Sequence, residues 1–250
     1  MERFVPKNAS VIIKPNICVA YHTYEYAATT NPWVVGGLVR LCLEAGAASV
    51  RVMDSPFGGT AREAYAVSGI GEQVQAAGGE MVDMPGFKYI STPIPDGKDL
   101  RQSEIFEDVL KADVLIDVPI AKHHSLARLT LGMKNLMGIL WDMEQLHKID
   151  LHQCIADINT LRKPDLVVVD AIRILTTNGP KGPGKTEDPV EVVASTDIVA
   201  VDAYAASYFK NPKTGKPYRP EEVRFVKYGY DHGLGEIDLS KVRVKKVSAS

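Results

Sequence analysis

Cysteine is scarce in this chain: Cys18, Cys42 and Cys154 lie far apart in 250 residues. No CxxC pair exists, so the spacing supports neither a zinc ribbon nor a ferredoxin-type cluster. A disulfide framework is equally unsupported, and the pattern fits a reducing compartment. An excess of one charge is lacking too, with 29 Lys and Arg against 31 Asp and Glu. That balance argues against a nucleic-acid surface, which shows clustered basic residues. No apolar run approaches the ~20 residues of a membrane helix. The opening Met1–Pro6 has no signal-peptide apolar core. These absences predict a cytoplasmic protein with no membrane and no nucleic-acid partner; a chain whose export signal had been trimmed would read the same. Absent as well is a GxGxxG after a strand, the marker of a Rossmann dinucleotide site.

Short runs rich in Val and Ile alternate with helical patterns. Strands are expected at 10–14, 49–53, 80–83, 114–118, 166–170, 191–194 and 242–244, without strict polar alternation, as suits strands covered on both faces. Asn31-Pro32 reads as an N-cap followed by a first-turn proline, opening a helix over 32–45 that Gly46 closes. Further helices are expected over 60–76, 102–111 and 149–161, after Asp197, and near 220–230. This order predicts an α/β fold: an open, mostly parallel sheet with helices on both faces, built as one domain over 1–250. Segment 119–148, rich in His, Lys, Met and Gly, departs from the alternation and is expected to wrap the site.

Ligands of open parallel sheets sit outside the carboxyl ends of the strands. Polar residues stand there after five runs: Lys14, Asn16 and Cys18; Asp54 and Ser55; Lys122, His123 and His124; Asp170 with Thr176, Thr177 and Asn178; and Ser195, Thr196 and Asp197. Each aspartate alone could cap a helix or turn; together the set predicts a shared pocket. The densest chemistry runs from Lys122-His123-His124 to Lys134-Asn135. Imidazoles suit acid–base work near neutral pH or metal ligation, and a buried lysine can shed its proton and act as base or nucleophile. Neighbouring side chains on extended chain point to opposite faces, so one of the two histidines should face the pocket. His147 and His152, five apart, do not share a helix face, unlike an HExxH pair. Gly179 to Thr186 matches the letters GxxxxGK[ST], but no strand feeds it directly, another strand rather than a helix is expected after it, and Pro180 and Pro183 remove amides a phosphate cradle needs. Gly58-Gly59-Thr60 at a helix start is a better anion nest.

The order of short motifs carries a resemblance. Lys14-Pro15-Asn16 ends the first strand, Thr30-Asn31-Pro32 opens the first helix and Glu44-Ala45-Gly46-Ala47 ends it. Lys122-x-His124 precedes Lys134-Asn135-x-x-Gly138, then Ile155-Ala156-Asp157, Val169-Asp170-Ala171, Gly179-Pro180 and Asp197-x-x-Ala200-x-Asp202-Ala203. Across nearly all of the chain this resembles domain-of-unknown-function family 362. Many members are described as iron–sulfur proteins, some with an added ferredoxin-like segment, so the resemblance implies an iron–sulfur cluster as a candidate cofactor. This sequence has no such segment; a cluster held by Cys18 with non-cysteine ligands, or shared across a dimer, stays open. The family is also distantly similar to the nickel-pincer lactate racemase group, which uses His and Lys in a cleft. That likeness implies His124 and Lys134 for proton transfer or cofactor contact.

The first functional reading is an enzyme acting on a small anionic substrate or cofactor. Lys14 and Lys134 would neutralise its charge, with Asn16, Lys122, Asn135 and Asn178 as further binding residues. His124 would be the general acid–base group, with Lys134 and Asp170 catalytic beside it. Asp170 and Asp197 would orient these groups, or hold a divalent metal with His124. The second reading is an iron–sulfur or other metal-binding redox protein, with no P-loop or Rossmann site. The third is a ligand-binding module without catalysis. The aromatic stretch of Tyr21, Tyr24, Tyr26 and Trp33 reads as a lid, a subunit contact in a homo-oligomer, or a packed surface loop.

Overall fold

The computed structural model describes residues 1–248. β1 (Ser10–Pro15) leads into α1 (Pro32–Glu44), β2 (Ser49–Val52), α2 (Ala61–Val67), α3 (Ile70–Ala76) and β3 (Glu80–Met81). A hairpin of β4 (Tyr89–Pro93) and β5 (Gln102–Phe106) forms its own two-stranded sheet before α4 (Glu107–Lys111). Next come β6 (Val114–Val118), β7 (Ile120–His124), β8 (Arg128–Thr130), α5 (Gly132–Asn135), α6 (Gln145–Lys148), α7 (Leu151–Leu161) and β9 (Leu166–Leu175). The order closes with β10 (Thr186–Glu187), β11 (Glu191–Ser195), α8 (Ile198–Ala206) and α9 (Arg224–Asp231).

The main sheet runs β3-β2-β1-β6-β9-β7-β8, with β10 and β11 also paired to β9. Strands β3, β2, β1, β6, β9 and β7 are parallel; β8, β10 and β11 are antiparallel to their partners. Val167 pairs with Asp117 of β6 and Ser195 of β11, while Asp170 pairs with Ile120 of β7 and Val192 of β11. Hence β6 and β7 share one side of β9, and β11 takes the other.

Alternation along each strand feeds two cores. Val11, Ile13, Ile116 and Val118 pack with Val35, Val39 and Cys42 of α1. On the opposite face Ile12, Leu115, Val167 and Val169 pack with Ile155 and Ile158 of α7 and Val199 of α8. Burial on both faces is why these strands read as unbroken apolar runs. The same count puts Lys14 and Asp117, register partners at the carboxyl ends of β1 and β6, on the face of Ile12 and Leu115. The α1 start is built as expected: the Asn31 side chain accepts from Trp33 N, and Gly46 takes a positive φ of 96° just past the helix. Among the described residues no helix is long and apolar enough to cross a membrane.

The elements differ from the sequence expectation in several places. The helix expected at 102–111 is strand through Phe106, because Ser103 and Ile105 face inward while Gln102 and Glu104 are exposed, a two-residue period. The helix over 60–76 breaks at Gly69, whose φ of 75° ends one helix and starts the next. That over 149–161 starts only at Leu151, where Asp150 accepts from the amides of His152 and Gln153. The third strand shrinks to Glu80–Met81, and residues 242–244 form no strand. The strand near 191 exists but runs antiparallel, which carries Ser195, Thr196 and Asp197 to the amino rim of the sheet. Segment 119–148 supplies β7 and β8 to the sheet and then folds α5 and α6 beside it.

Candidate functional site

At the carboxyl ends of β1, β6 and β7 several polar side chains bond to one another. Lys14 Nζ, 1% exposed, donates to Asp54 Oδ1 at 2.7 Å, Pro15 O at 3.2 Å and Asn135 Oδ1 at 3.3 Å. Three acceptors saturate an ammonium. Asp54 Oδ2 takes the Ile17 amide at 2.6 Å. Burial pushes the Asp54 carboxyl up, and Lys14 and that amide pull it back. Asn135 Nδ2 donates to Asp117 Oδ1 at 2.7 Å, and Asn16 Nδ2 donates to Asn135 Oδ1 at 2.9 Å. Lys122 Nζ donates to Asn16 Oδ1 at 2.7 Å and Ala28 O at 2.6 Å. Cys18 packs on Ala28, and its thiol opposes the lowering of the Lys122 pKa by burial. Gly138 is a glycine for a steric reason: a Cβ there would sit 2.6 Å from Asp54 Oδ1 and 2.8 Å from Lys14 Nζ.

Beneath this layer lie two buried acids. Burial drives the Asp117 carboxyl well above the usual range against the pull of Lys14 and Asn135, and its Oδ2 has no hydrogen-bond partner among the described residues. Asp202 accepts from the amides of Gly132 and Met133 at 2.7 and 2.9 Å, yet burial still lifts it to about 7. Both reach the Cα of Gly132, where a Cβ would meet Asp202 Oδ1 at 2.9 Å and Asp117 Oδ2 at 3.3 Å.

Above the layer the groups are less committed. Lys134, partly exposed at the end of α5, has Met137 Sδ at 3.4 Å as its one hydrogen-bond acceptor and forms no ion pair, among the described residues. Burial, with the charges of Lys122 and Lys14, brings its pKa down to about 8, against an opposing pull from Cys18. His124 Nδ1 accepts from the amides of Leu126 and Ala127 at 3.1 and 3.2 Å. Its proton therefore sits on Nε2. Burial, then Lys134 and Lys122, press the imidazole to about 2, so it stays neutral. His123 points the other way and accepts from Gly179 N at 3.1 Å. Thr130 pairs with Lys122 across β7 and β8, so both side chains share the His124 face. Its hydroxyl is buried and has no hydrogen-bond partner among the described residues. His147, exposed, lies close enough to Lys134 for that charge to lower its pKa beside the effect of burial.

Of the sequence-derived residues, Lys14, Asn16, Lys122 and Asn135 thus bond in one network, with Lys134 and His124 beside it. Three others go elsewhere. Asp170 accepts from Asn31 N and Ile172 N, holding the start of α1 to β9; burial raises it to about 6 against those two bonds. Asn178 is exposed and donates to Pro183 O within its own loop. Asp197 caps α8 at the amino rim, accepting from Ala200 N and Glu236 N. The trio His124, Asp170 and Asp197 is therefore not brought together, because β11 reverses direction. Asp54 was expected only as one of the strand-end polar groups, without a role, and Asp117 and Asp202 were not among the expected site residues. Asp117 carried a signal: a carboxylate inside Val-Leu-Ile-Asp-Val must be paired or neutral.

Other candidate features resolve as structure. The GxxxxGKT loop closes on itself through Thr176 and Lys185 and runs into β10, not a helix. At Gly58-Gly59-Thr60 the carboxylate of Glu63 takes the Thr60 amide and hydroxyl in a capping box at the start of α2. Clefts of about 370 and 500 Å³ open away from the network, one beside Phe4, Leu38 and Ser195, the other beside Tyr24, Asn31 and Arg173. The donor set does not fit an iron–sulfur cluster: Cys18, Cys42 and Cys154 fall in three different apolar clusters. Among the described residues no three His, Cys, Asp or Glu gather as a metal site.

Comparison with known proteins adds the following. The thylakoid-associated protein sll1697 of Synechocystis sp. (strain ATCC 27184 / PCC 6803 / Kazusa) is 29% identical over 213 residues, 81% of this chain. The chain spans 63% of that relative's length. Among solved structures, the lactate racemase apoprotein from Thermoanaerobacterium thermosaccharolyticum superposes with a TM-score of 0.49 at 15% identity, over 78% of this chain and 48% of that one. The family described as Domain of unknown function (DUF362) matches residues 11–207, the stretch that contains every residue of the network, and the chain belongs to that family.

Proposed function

We propose that this chain is an enzyme acting on a small anionic molecule, and that Lys134 receives the anion. One observation carries the reading: a partly exposed ammonium whose only hydrogen-bond partner among the described residues is a thioether, beside two buried lysines. Positive charges gathered away from water repel strongly, and a bound anion offsets that repulsion. Lys14 is saturated and serves as scaffold, with Asp54, Asn16 and Asn135 fixing the floor. His124 works as a neutral hydrogen-bond donor through Nε2–H and not as a base, since Nδ1 is taken by two amides. Proton transfer falls to Lys134, whose pKa of about 8 keeps both forms populated near neutrality. Perturbed Lys and His side by side favour catalysis over simple binding.

The test is calorimetric titration of the full chain with inorganic phosphate and with acetate, repeated with Lys134→Met. Affinity should drop by about tenfold or more in the variant, roughly the loss of one charge-assisted contact. In the wild type it should fall as pH rises through 8, when the ammonium deprotonates. Equal binding by Lys134→Met, or affinity that ignores pH between 7 and 9, would remove the basis of the reading.

A further inference from the structure

β11 forms one edge of the main sheet: among the described residues it pairs with β9 and with no other strand. Which of its backbone groups are free follows from β9. Asp170 gives its amide to Pro119 O on the β7 side, so its neighbours Val169 and Ala171 turn theirs toward β11. Their register partners Val193 and Glu191 are thereby bonded, and the N–H and C=O groups of Val192 and Ala194 point outward, unpartnered among the described residues. The side chains of Val192 and Ala194 are exposed as well, Val192 by 50%, and stand on the α1 face of the sheet, opposite Asp170 and Val168. Exposed edges are commonly blunted by lysine, proline or a bulge, and Glu191–Ser195 contains none of these. Its one charge, Glu191, is taken by Tyr204, Tyr208 and Lys246. Beside Ala194 lies the cleft of about 370 Å³, walled by Phe4, Leu38, Leu166 and Val168. Arg3 and Thr196 line it too; the Arg3 guanidinium rests over the Phe4 ring at 5.8 Å and forms no ion pair among the described residues. Toward the other end of the strand Glu187 is exposed, and it too forms no ion pair among the described residues.

We propose that two copies of this chain join through β11, antiparallel about a two-fold axis at Val193, into one continuous sheet. The strand fits itself. Val192 of each copy faces Ala194 of the other, and the two pairs exchange four N–H···O bonds, which use every outward group of the edge. A large side chain meets a small one on the α1 face, and Val192 of the second copy lies beside the cleft that Ala194 lines. On the opposite face Glu191 meets Ser195, so no like charges oppose. The antiparallel sense brings the Arg3 end of each copy toward the Glu187 end of the other, joining opposite charges that have no partner within one chain. This match of register, size and charge favours a second copy over an unrelated strand. Burial of Val192 and the apolar cleft wall adds what four backbone bonds alone do not supply. β11 lies on the side of β9 away from β7 and β8, so the pairing leaves the His124 rim open and does not depend on the anion site.

Sedimentation velocity of the full chain, at concentrations up to about 100 µM, should show a species of twice the mass of one chain. Val192→Lys changes an exposed side chain, so the fold is kept, and it should raise the dissociation constant by about tenfold or more. Arg3→Glu should weaken the pairing, and adding Glu187→Arg should restore it, a recovery that a misfolded variant cannot give. Val193→Cys reads the register. At the axis the two Cα atoms would stand about 4.5 Å apart in a non-hydrogen-bonded pair, within disulfide reach. Mild oxidation should therefore link this variant and not the wild type, whose three cysteines are buried. A wild type that stays monomeric at the highest concentration, leaving the edge to a strand of some other protein, overturns the proposal. So does a dimer that Val192→Lys leaves intact or that Val193→Cys fails to link, because such a dimer uses another face.

Discussion

Replacing Lys14 with Met separates scaffold from site. The Lys14–Asp54 pair spans 2.7 Å with side chains 1% and 4% exposed, so neither partner can be rehydrated where it stands. Lys14→Met removes three donated bonds and leaves the Asp54 carboxylate without its cation, while Asn135 Oδ1 keeps its bond from Asn16. Breaking one side of a buried pair costs about 3–5 kcal/mol. For a chain of this length that lowers Tm by roughly 10 °C. Urea denaturation at pH 7 measures the loss directly. The double variant Lys14→Met with Asp54→Asn should recover about 1–3 kcal/mol, because no charge is left unpaired and an amide oxygen can still take the Ile17 amide. The sign with pH follows from burial, which raises Asp54. Without Lys14 the carboxyl protonates more readily, so the penalty should shrink as pH falls. Phosphate affinity, measured well below the lowered Tm, should fall less than in Lys134→Met, because Lys14 lends the site charge but no free donor. A cost under about 1 kcal/mol, the value of an exposed pair, would show that the network does not clamp the rim.

His124 offers a pH test. An imidazole pressed to about 2 stabilises the fold above its unfolded value near 6.5, and that stability is lost as pH falls below it. His124→Gln, whose side-chain oxygen can accept the same amides, should flatten the acid limb by about 1.4 kcal/mol per pH unit between pH 6 and 4, read from urea midpoints. The two buried acids should part company. Asp117→Asn imitates the protonated acid and should stay within about 1 kcal/mol of wild type at pH 7. Asp202→Asn turns an NH₂ group on one of two backbone amides and should cost about 1–3 kcal/mol. Equal costs in the same denaturation experiment would mean that Asp117 is ionised.

The central strands were legible because both faces are covered, which leaves unbroken Val and Ile runs. The β4–β5 hairpin was not: β4 is Tyr-Ile-Ser-Thr-Pro, largely exposed, and β5 runs straight into helix, so local pattern merged the two. At the rim, the rule placing polar groups at strand carboxyl ends brought Lys14, Asn16 and Lys122 into one neighbourhood. It misplaced Asp197 because an apolar run does not declare its direction, and β11 is antiparallel. Asp170 sits on the expected strand but faces the amides at the start of α1. Nor could spacing tell the lysines apart. Lys14 and Lys134 look alike as letters; only counting acceptors shows that one is spent and the other is not.

That difference makes a last prediction, opposite in sign to the first. Lys134 lies in the same neighbourhood as Lys14 but with no acid to offset its desolvation or the repulsion of Lys122 and Lys14. A group kept for stability would be paired; one kept for function is tolerated at a cost. Lys134→Met should therefore stabilise the chain, the new thioether packing near Met137 where the ammonium now sits. The linkage gives the pH dependence. A lysine lowered from 10.5 to about 8 binds its proton less well folded than unfolded, so the wild type gains stability as pH rises from 8 toward 10.5. The variant has no such group, and its advantage should be greatest at pH 7 and fade by pH 10. Paired urea curves at the two pH values measure this. If Lys134→Met is destabilised at both, Lys134 is held by interactions that its single thioether contact does not explain, and its place at the centre of an anion site is lost.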